Sequence, residues 1–191
     1  PRTSLRETLN ICGQIVYDGI SLDQALRCVE GIKKPENRQR ARWIVTAFHA
    51  RARIEGWQGI QIFRDMVEHF PVSAGVRVPV EPTFVVNNEG RLTPYFLICW
   101  SQMDFSLEQK SLLSTIISKT ILTLEEFQGS DAVIVCTPLA IASKYEREVF
   151  MWKASDFPLL GEDEEQTIFD RYAAALDDAE AMLIESLSRR G

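Results

Sequence analysis

The residues best suited to binding chemistry in this sequence are basic and cluster in one segment. Residues 27–53 hold eight arginines and lysines against two glutamates, although the whole chain has a net charge of −6. Guanidinium and ammonium groups bind phosphates, and each neutralised phosphate releases counterions, which makes such binding salt-dependent. An alternative partner for these charges is the acidic C-terminal part of the chain, or solvent. The candidate nucleic-acid contacts are Lys33, Lys34, Arg38, Arg42 and Arg53.

Cysteine and histidine chemistry is only weakly indicated by the sequence. The four cysteines, Cys12, Cys28, Cys99 and Cys136, lie far apart without a CxxC pair, and there are two histidines. This pattern favours reduced thiols and indicates neither a zinc site nor a disulfide framework. The chain also lacks the P-loop, GxGxxG, GxSxG and HExxH motifs of common nucleotide-binding, hydrolase and zinc-protease sites.

The overall composition is typical of a globular protein. Hydrophobic residues make up 46% of the 191 residues and charged residues 25%, which is enough for a sizeable core. No apolar run approaches the roughly 18 residues that a membrane span needs. The N-terminus does not resemble a signal peptide. We therefore expect a cytoplasmic protein that makes no membrane contact.

Three helices are predicted in the first third of the chain. Apolar residues recur at helical spacing over residues 4–17, and Ser21 with Gln24 forms a capping-box pattern that begins a second helix. Pro35 suits the first position of a third helix, which should run to about residue 55. The predicted inner face of this third helix comprises Trp43, Ala47, Ala50 and Ile54. The opposite, outward face carries the basic stripe of Arg38, Arg42 and Arg53 together with His49.

The rest of the chain alternates between helical and strand patterns. Spacing predicts an amphipathic helix over residues 57–70 and strands over 76–80, 83–86 and 95–100, the last two joined as a hairpin by turn residues 87–90. A capping box at Ser106 and Gln109 begins a long apolar helix over residues 106–128, and strands follow at 132–136 and about 148–153. A final helix to about residue 187 has an apolar stripe that must pack on the sheet, the N-terminal helices or a second subunit: Ile168, Tyr172, Leu176, Ala179 and Leu183.

These elements together predict an α+β or α/β protein. A helical N-terminal portion precedes a central mixed sheet of about four to five strands, and a helix ends the chain. We expect three regions: a helical one over residues 1–56, an α/β core over residues 57–155, and an acidic linker with the C-terminal helix over residues 156–191. The C-terminal helix would pack on the core or on a partner.

The predicted α-β-β-β-α-β order over residues 57–153 resembles the core of the PD-(D/E)XK, or restriction-endonuclease-like, nucleases. Two segments carry the resemblance: Pro82-Thr83 where the second strand begins, and Cys99-Trp100-Ser101 where the third strand ends. In that superfamily these segments supply two acidic metal ligands and a lysine. The resemblance implies that Thr83, Cys99 and Ser101 occupy the three catalytic positions in a degenerate form.

The substituted residues do not suit the original chemistry. Mg²⁺ prefers charged oxygen ligands, whereas Thr83 and Ser101 offer neutral oxygens and Cys99 is a poor ligand for a hard cation. We therefore expect no metal or other cofactor. If catalysis persists, displaced carboxylates at Glu81 and Glu55 would serve it, with Glu81 holding Mg²⁺ for phosphodiester hydrolysis.

Three functional hypotheses follow from the sequence. The first is a catalytically degenerate nuclease-fold protein that binds DNA or RNA without cleaving it. The second is a protein-interaction or assembly module, with a protein partner or a homodimer formed through the C-terminal helix. The third is an active metal-dependent nuclease with displaced carboxylates. The local basic segment favours the first hypothesis, and the acidic chain as a whole favours the second.

Overall fold

The computed structural model describes residues 2–73, 75–102, 104–141, 143 and 145–188 as an α+β fold. Three helices come first: α1 (Arg2–Tyr17), α2 (Leu22–Glu30) and α3 (Pro35–Glu55). A two-stranded antiparallel sheet follows, formed by β1 (Glu68–Ser73) and β2 (Val76–Val80). The central sheet has the order β3-β4-β5-β6 and contains β3 (Phe84–Asn88), β4 (Arg91–Ile98), β5 (Val133–Cys136) and β6 (Phe150–Lys153). Helix α4 (Leu107–Thr120) connects β4 to β5, and α5 (Glu162–Ser188) comes last.

The central sheet is mixed, as the sequence predicts. Strands β3 and β4 form an antiparallel hairpin, β4 and β5 run parallel, and β6 returns antiparallel to β5. Because β4 and β5 are parallel, the chain must cross from the end of one strand to the start of the other, and α4 forms part of this crossover. Antiparallel neighbours need only a turn. The hairpin turn contains Glu89 at φ 52° and Gly90 at φ 87°, and the Gly90 amide donates to the Asn87 side chain at 2.8 Å.

Local signals explain where three of the helices begin or end. The predicted capping boxes are present at Ser21 with Gln24 and at Ser106 with Gln109, so each pair of residues satisfies two otherwise free backbone amides. Helix α3 begins with Pro35 and ends at Gly56, which has φ 65° and is therefore in the left-handed region that glycine tolerates best.

Each face of the central sheet is covered by a different layer. On one face, α1, α2 and α3 pack against alternate strand residues, with Phe48, Trp57, Phe84 and Tyr95 in mutual ring contact. On the other face, α4, the β1–β2 hairpin and Phe169 of α5 form a second cluster. Neighbouring residues on β3 divide between the two clusters, because successive side chains of a strand point to opposite faces.

The predicted helix over residues 57–70 is wrong. Trp57 is buried against the α3 side of the sheet, and the amides of Gly59 and Ile60 donate to the carbonyls of Val16 and Val85 at 2.9 and 2.8 Å. These tertiary hydrogen bonds hold the chain out of a helix. A short 3₁₀ turn occupies Gln61–Phe63, and strand β1 begins at residue 68. The helical spacing was outweighed by contacts between residues far apart in the sequence.

Three further predictions require correction. The helix predicted over residues 106–128 ends at Thr120, whose hydroxyl donates to the Ile116 carbonyl at 2.7 Å, and two 3₁₀ turns follow. The strand over residues 76–80 exists but pairs with β1 outside the central sheet. On α3, Ile54 is 78% exposed and His49 is buried, the reverse of the predicted faces. Of the predicted apolar stripe on the last helix, the side chains of Leu176 and Leu183 lie outside the described residues.

Among the described residues, no helix is long and apolar enough to cross a lipid bilayer.

Candidate nucleic-acid interface at the ends of the parallel strands

The carboxyl ends of β4 and β5 lie side by side, because their last residues, Ile98 and Cys136, pair in the parallel register. The chain leaves these ends through two adjacent segments, residues 99–101 and residues 137–139. In open α/β sheets, ligands bind beyond the carboxyl ends of the parallel strands. The predicted motif residues Cys99 and Ser101 lie at the corresponding edge of this sheet, just after the end of β4.

Arg147 joins the two segments. Its guanidinium donates to the Thr137 carbonyl at 2.9 Å, to the Trp100 carbonyl at 3.3 Å and to the Ser101 hydroxyl at 3.3 Å. The segment carrying Arg147 folds back on residues 138–140, with a bridge between Leu139 and Arg147. Arg147 thus fixes the position of the loop after β4 relative to the loop after β5.

The positive charge of Arg147 is not compensated by a carboxylate among the described residues. Burial lowers the pKa of Arg147, and the neighbouring positive charge of Arg40 on α3 lowers it further, although Cys99 acts in the opposite direction. Neither arginine forms an ion pair with any residue that the structure describes. Two like charges repel each other, and an anion that interacts with both would reduce this repulsion.

Aromatic side chains belong to the same segments as these arginines. Trp43 of α3 packs against Tyr145, with ring centroids 4.8 Å apart, and Tyr145 is 58% exposed. Trp100, whose carbonyl accepts from Arg147, packs against Phe105 at 5.3 Å and is 54% exposed. Exposed aromatic rings next to cationic groups suit the stacking of single-stranded bases beside a bound backbone. We call Arg40, Trp43, Trp100, Tyr145 and Arg147 the strand-end surface.

The predicted motif residues Thr83 and Cys99 make contacts within the protein. Thr83 lies just before β3, where its hydroxyl oxygen accepts a hydrogen bond from the Leu97 amide at 2.9 Å. Cys99 is 2% exposed, and burial raises its pKa to about 11 despite the opposing effects of Thr137 and Arg147. The Cys99 thiol is therefore protonated near neutral pH and is a poor nucleophile or metal ligand.

The predicted displaced carboxylates have separate surroundings. Glu81 is exposed in the loop between β2 and β3. Glu55 forms an ion pair with Arg51 at 2.7 Å and lines a cleft with residues 56–60 and 86–89, to which Glu81 does not contribute. Within the described ranges, no group of three or more His, Cys, Asp or Glu side chains could hold a metal ion.

The predicted nucleic-acid contacts divide into residues bound within the protein and exposed residues without an ion pair. Arg38 donates to the Ile32 carbonyl at 3.1 and 3.0 Å and lies 3.7 Å from Glu30, which also pairs with Arg42. These two arginines therefore hold α3 against α2. By contrast, Lys33, Lys34 and Arg53 are exposed and form no ion pair with a described residue.

Sequence reasoning missed the residues that complete the strand-end surface. Arg40 belongs to the recognised basic segment, but its electrostatic interaction with Arg147 depends on how α3 packs in the fold. Arg147 bonds to Trp100 and Ser101, which are 47 and 46 positions earlier in the chain. No local pattern signals contacts at such separation.

Comparison of this chain with protein-family models, with curated proteins and with solved structures finds no match.

Proposed function

We propose that this protein binds nucleic acid through the strand-end surface and does not cleave it. The observation that carries the proposal is that Arg40 and Arg147 interact electrostatically and form no ion pair with a described residue, on two segments joined by the contact of Trp43 with Tyr145. The arginines would neutralise backbone phosphates, and the rings would stack on bases. Lys33 and Lys34 would extend the path of the phosphates along the helical layer.

Binding without cleavage is supported by the state of the motif positions. The oxygens of Thr83 and Ser101 accept hydrogen bonds from the protein itself, and the Cys99 thiol is held protonated by burial. A degenerate restriction-endonuclease-like ancestry is part of the same proposal. Its support is the β3–β4 hairpin followed by the α4 crossover to a parallel β5.

The direct test measures binding of labelled single- and double-stranded DNA and RNA across a series of salt concentrations. Each titration is run with EDTA, Mg²⁺ or Mn²⁺, and the nucleic acid is then examined for cleavage. We expect binding that weakens as salt rises, with no cleavage and with a preference for single strands. Absence of binding near physiological salt would refute the proposal. Cleavage that Glu81→Ala abolishes would replace it with the active-nuclease hypothesis.

Self-association through α5 is a second candidate function. The described contacts that anchor this helix lie in its first ten residues: Phe169 on Phe70 at 5.6 Å, Glu165 with Lys119 at 2.6 Å, and Arg171 with Glu108 at 3.4 Å. Further along the helix, Tyr172 is 47% and Met182 is 71% exposed.

Light scattering after size-exclusion chromatography tests this second function at several protein concentrations. A dimer that Met182→Glu converts to a monomer would support it. A monomer at every concentration would remove self-association.

A further inference from the structure

We propose a second binding site, near the C-terminal end of α3, in which His49 and Arg53 bind a phosphate group. The site is separate from the strand-end surface, because Arg53 follows Arg40 by thirteen positions on the same helix, a rise of roughly 20 Å. It therefore does not depend on the proposed function.

The site is a cleft of about 690 Å³ between the helical layer and the loop that follows it. The end of α1 and residues 18–21 form one wall, and the last two turns of α3 form another. Residues 56–59 close the third side, where Gly59 lies against the Tyr17 ring with no space for a Cβ atom. The absence of a side chain at this position keeps the loop close to α1.

His49 is the unusual member of this cleft. It is only 9% exposed, it lines the cleft, and it forms no hydrogen bond with any residue that the structure describes. Its ring nitrogens do not belong to the buried polar atoms that lack a partner, so solvent in the cleft reaches them. Because no described side chain binds these nitrogens, they are accessible to a ligand in the cleft.

Arg53 lies one helical turn after His49 and lines the same cleft. It is exposed and forms no ion pair with a described residue. The carboxylate that lines the cleft, Asp18, is already bound by Arg64 at 2.5 and 3.2 Å. The charge of Arg53 is therefore available for an anion from solution.

The chemistry of the donors favours phosphate over a carboxylate. A guanidinium binds two phosphate oxygens in a bidentate manner, and an adjacent imidazole donates to a third. Burial and the charge of Arg53 lower the pKa of His49, so the ring is neutral in the empty cleft near neutral pH. A bound dianion would favour protonation of this ring, opposing the effect of Arg53. The phosphate could belong to a free nucleotide or to the end of a nucleic-acid strand.

Nuclear magnetic resonance of the imidazole groups tests this site directly. The chain has only two histidines, so His69→Gln leaves His49 as the single signal. Inorganic phosphate is titrated into the protein at constant ionic strength, and sulfate and acetate are titrated separately for comparison. We expect phosphate to shift the His49 signals saturably and to raise the pKa of His49, while acetate has little effect. In the His69→Gln background, Arg53→Gln should weaken the phosphate affinity measured from the His49 shift about tenfold. The exposed control Arg77→Gln should leave this affinity unchanged.

Further titrations distinguish the two possible sources of the phosphate group, and one set of results would contradict the proposal. If a 5′-phosphorylated oligonucleotide shifts His49 but its 5′-hydroxyl form does not, the ligand is a strand end. If a mononucleotide shifts His49 as strongly as the phosphorylated strand, the ligand is a free nucleotide. His49 signals that do not move with phosphate, or that move equally with Arg53→Gln, would overturn the proposal. Neither result affects binding at the strand-end surface, which is tested by changes at Arg40 and Trp100.

Discussion

Trp43 of α3 packs against Tyr145 with ring centroids 4.8 Å apart, and this contact joins the basic helix to the loop that carries Arg147. The contact explains how two separate sequence features form one surface. Arg40 lies one turn before Trp43 on α3, and its charge acts on Arg147. The described anchoring contacts of the acidic α5 lie instead on Phe70, Glu108 and Lys119, in the other layer.

Two neighbouring arginines on α3 should differ sharply in their effect on nucleic-acid binding. We expect Arg40→Ala to reduce affinity for single-stranded oligonucleotides and to lower the salt dependence by about one phosphate contact. Arg42→Ala is the matched control, because its guanidinium is already paired with Glu30. The measurement is fluorescence anisotropy over a series of salt concentrations. Equal losses in the two variants would contradict the assignment of Arg40 to the surface.

Substitution of Trp100 should affect nucleic-acid binding, whereas substitution of Trp152 should affect the stability of the fold. Trp100→Ala should weaken single-strand binding by about 1–3 kcal/mol, because a base loses its stacking partner, and should change the free energy of unfolding little. Trp152 is 8% exposed, so Trp152→Ala should lower the free energy of unfolding by about 3–5 kcal/mol. Urea denaturation and anisotropy measure the two effects. Unchanged binding by Trp100→Ala would remove it from the interface.

Thr83 should act as a structural residue. Its hydroxyl oxygen accepts the Leu97 amide at 2.9 Å, so Thr83→Val should lower the free energy of unfolding by about 1–3 kcal/mol by leaving that amide without its acceptor. Thr83→Ser retains the oxygen and should cost less. The comparison uses urea denaturation monitored by circular dichroism. A Thr83→Val variant as stable as the native protein would show that the hydrogen bond contributes little.

Only one of the four cysteines should react rapidly in the folded protein. Cys28 is exposed, whereas Cys12, Cys99 and Cys136 are buried, and burial raises the pKa of Cys99 and of Cys136 to about 11. Because the thiolate is the reactive form, Ellman's reagent near neutral pH should titrate one thiol in the native protein and four in denaturant. Cys28→Ser should remove the fast reaction. A second fast thiol would show that a buried position opens readily.

The ion pair between Asp18 and Arg64 should make stability depend on pH in a defined direction. The hydrogen bond from Arg64 lowers the pKa of Asp18 below its unfolded value, so the folded state favours the charged carboxylate. The stabilisation should be present above the unfolded pKa of about 3.9 and lost as pH falls through the folded value. Because the pair is partly exposed, we expect at most about 1 kcal/mol.

Urea denaturation of the native protein and of Asp18→Asn measures this effect. The native protein should be the more stable near neutral pH, and the difference should shrink on acidification. A difference that grows at low pH would contradict the assignment.

The sequence by itself determined the elements whose signals are local. The capping boxes at Ser21 and Ser106, Pro35 at the start of α3 and the turn at residues 87–90 depend on residues within a few positions of each other, and all are confirmed. The tertiary structure decided the features that depend on distant partners. Residues 57–60 make hydrogen bonds to Val16 and Val85 instead of forming a helix. Arg38 and Arg42 pair with Glu30, whereas the charge of Arg40 acts on Arg147. Periodicity shows that a helix is amphipathic, but packing decides which of its charges meet a partner and which remain available for a ligand.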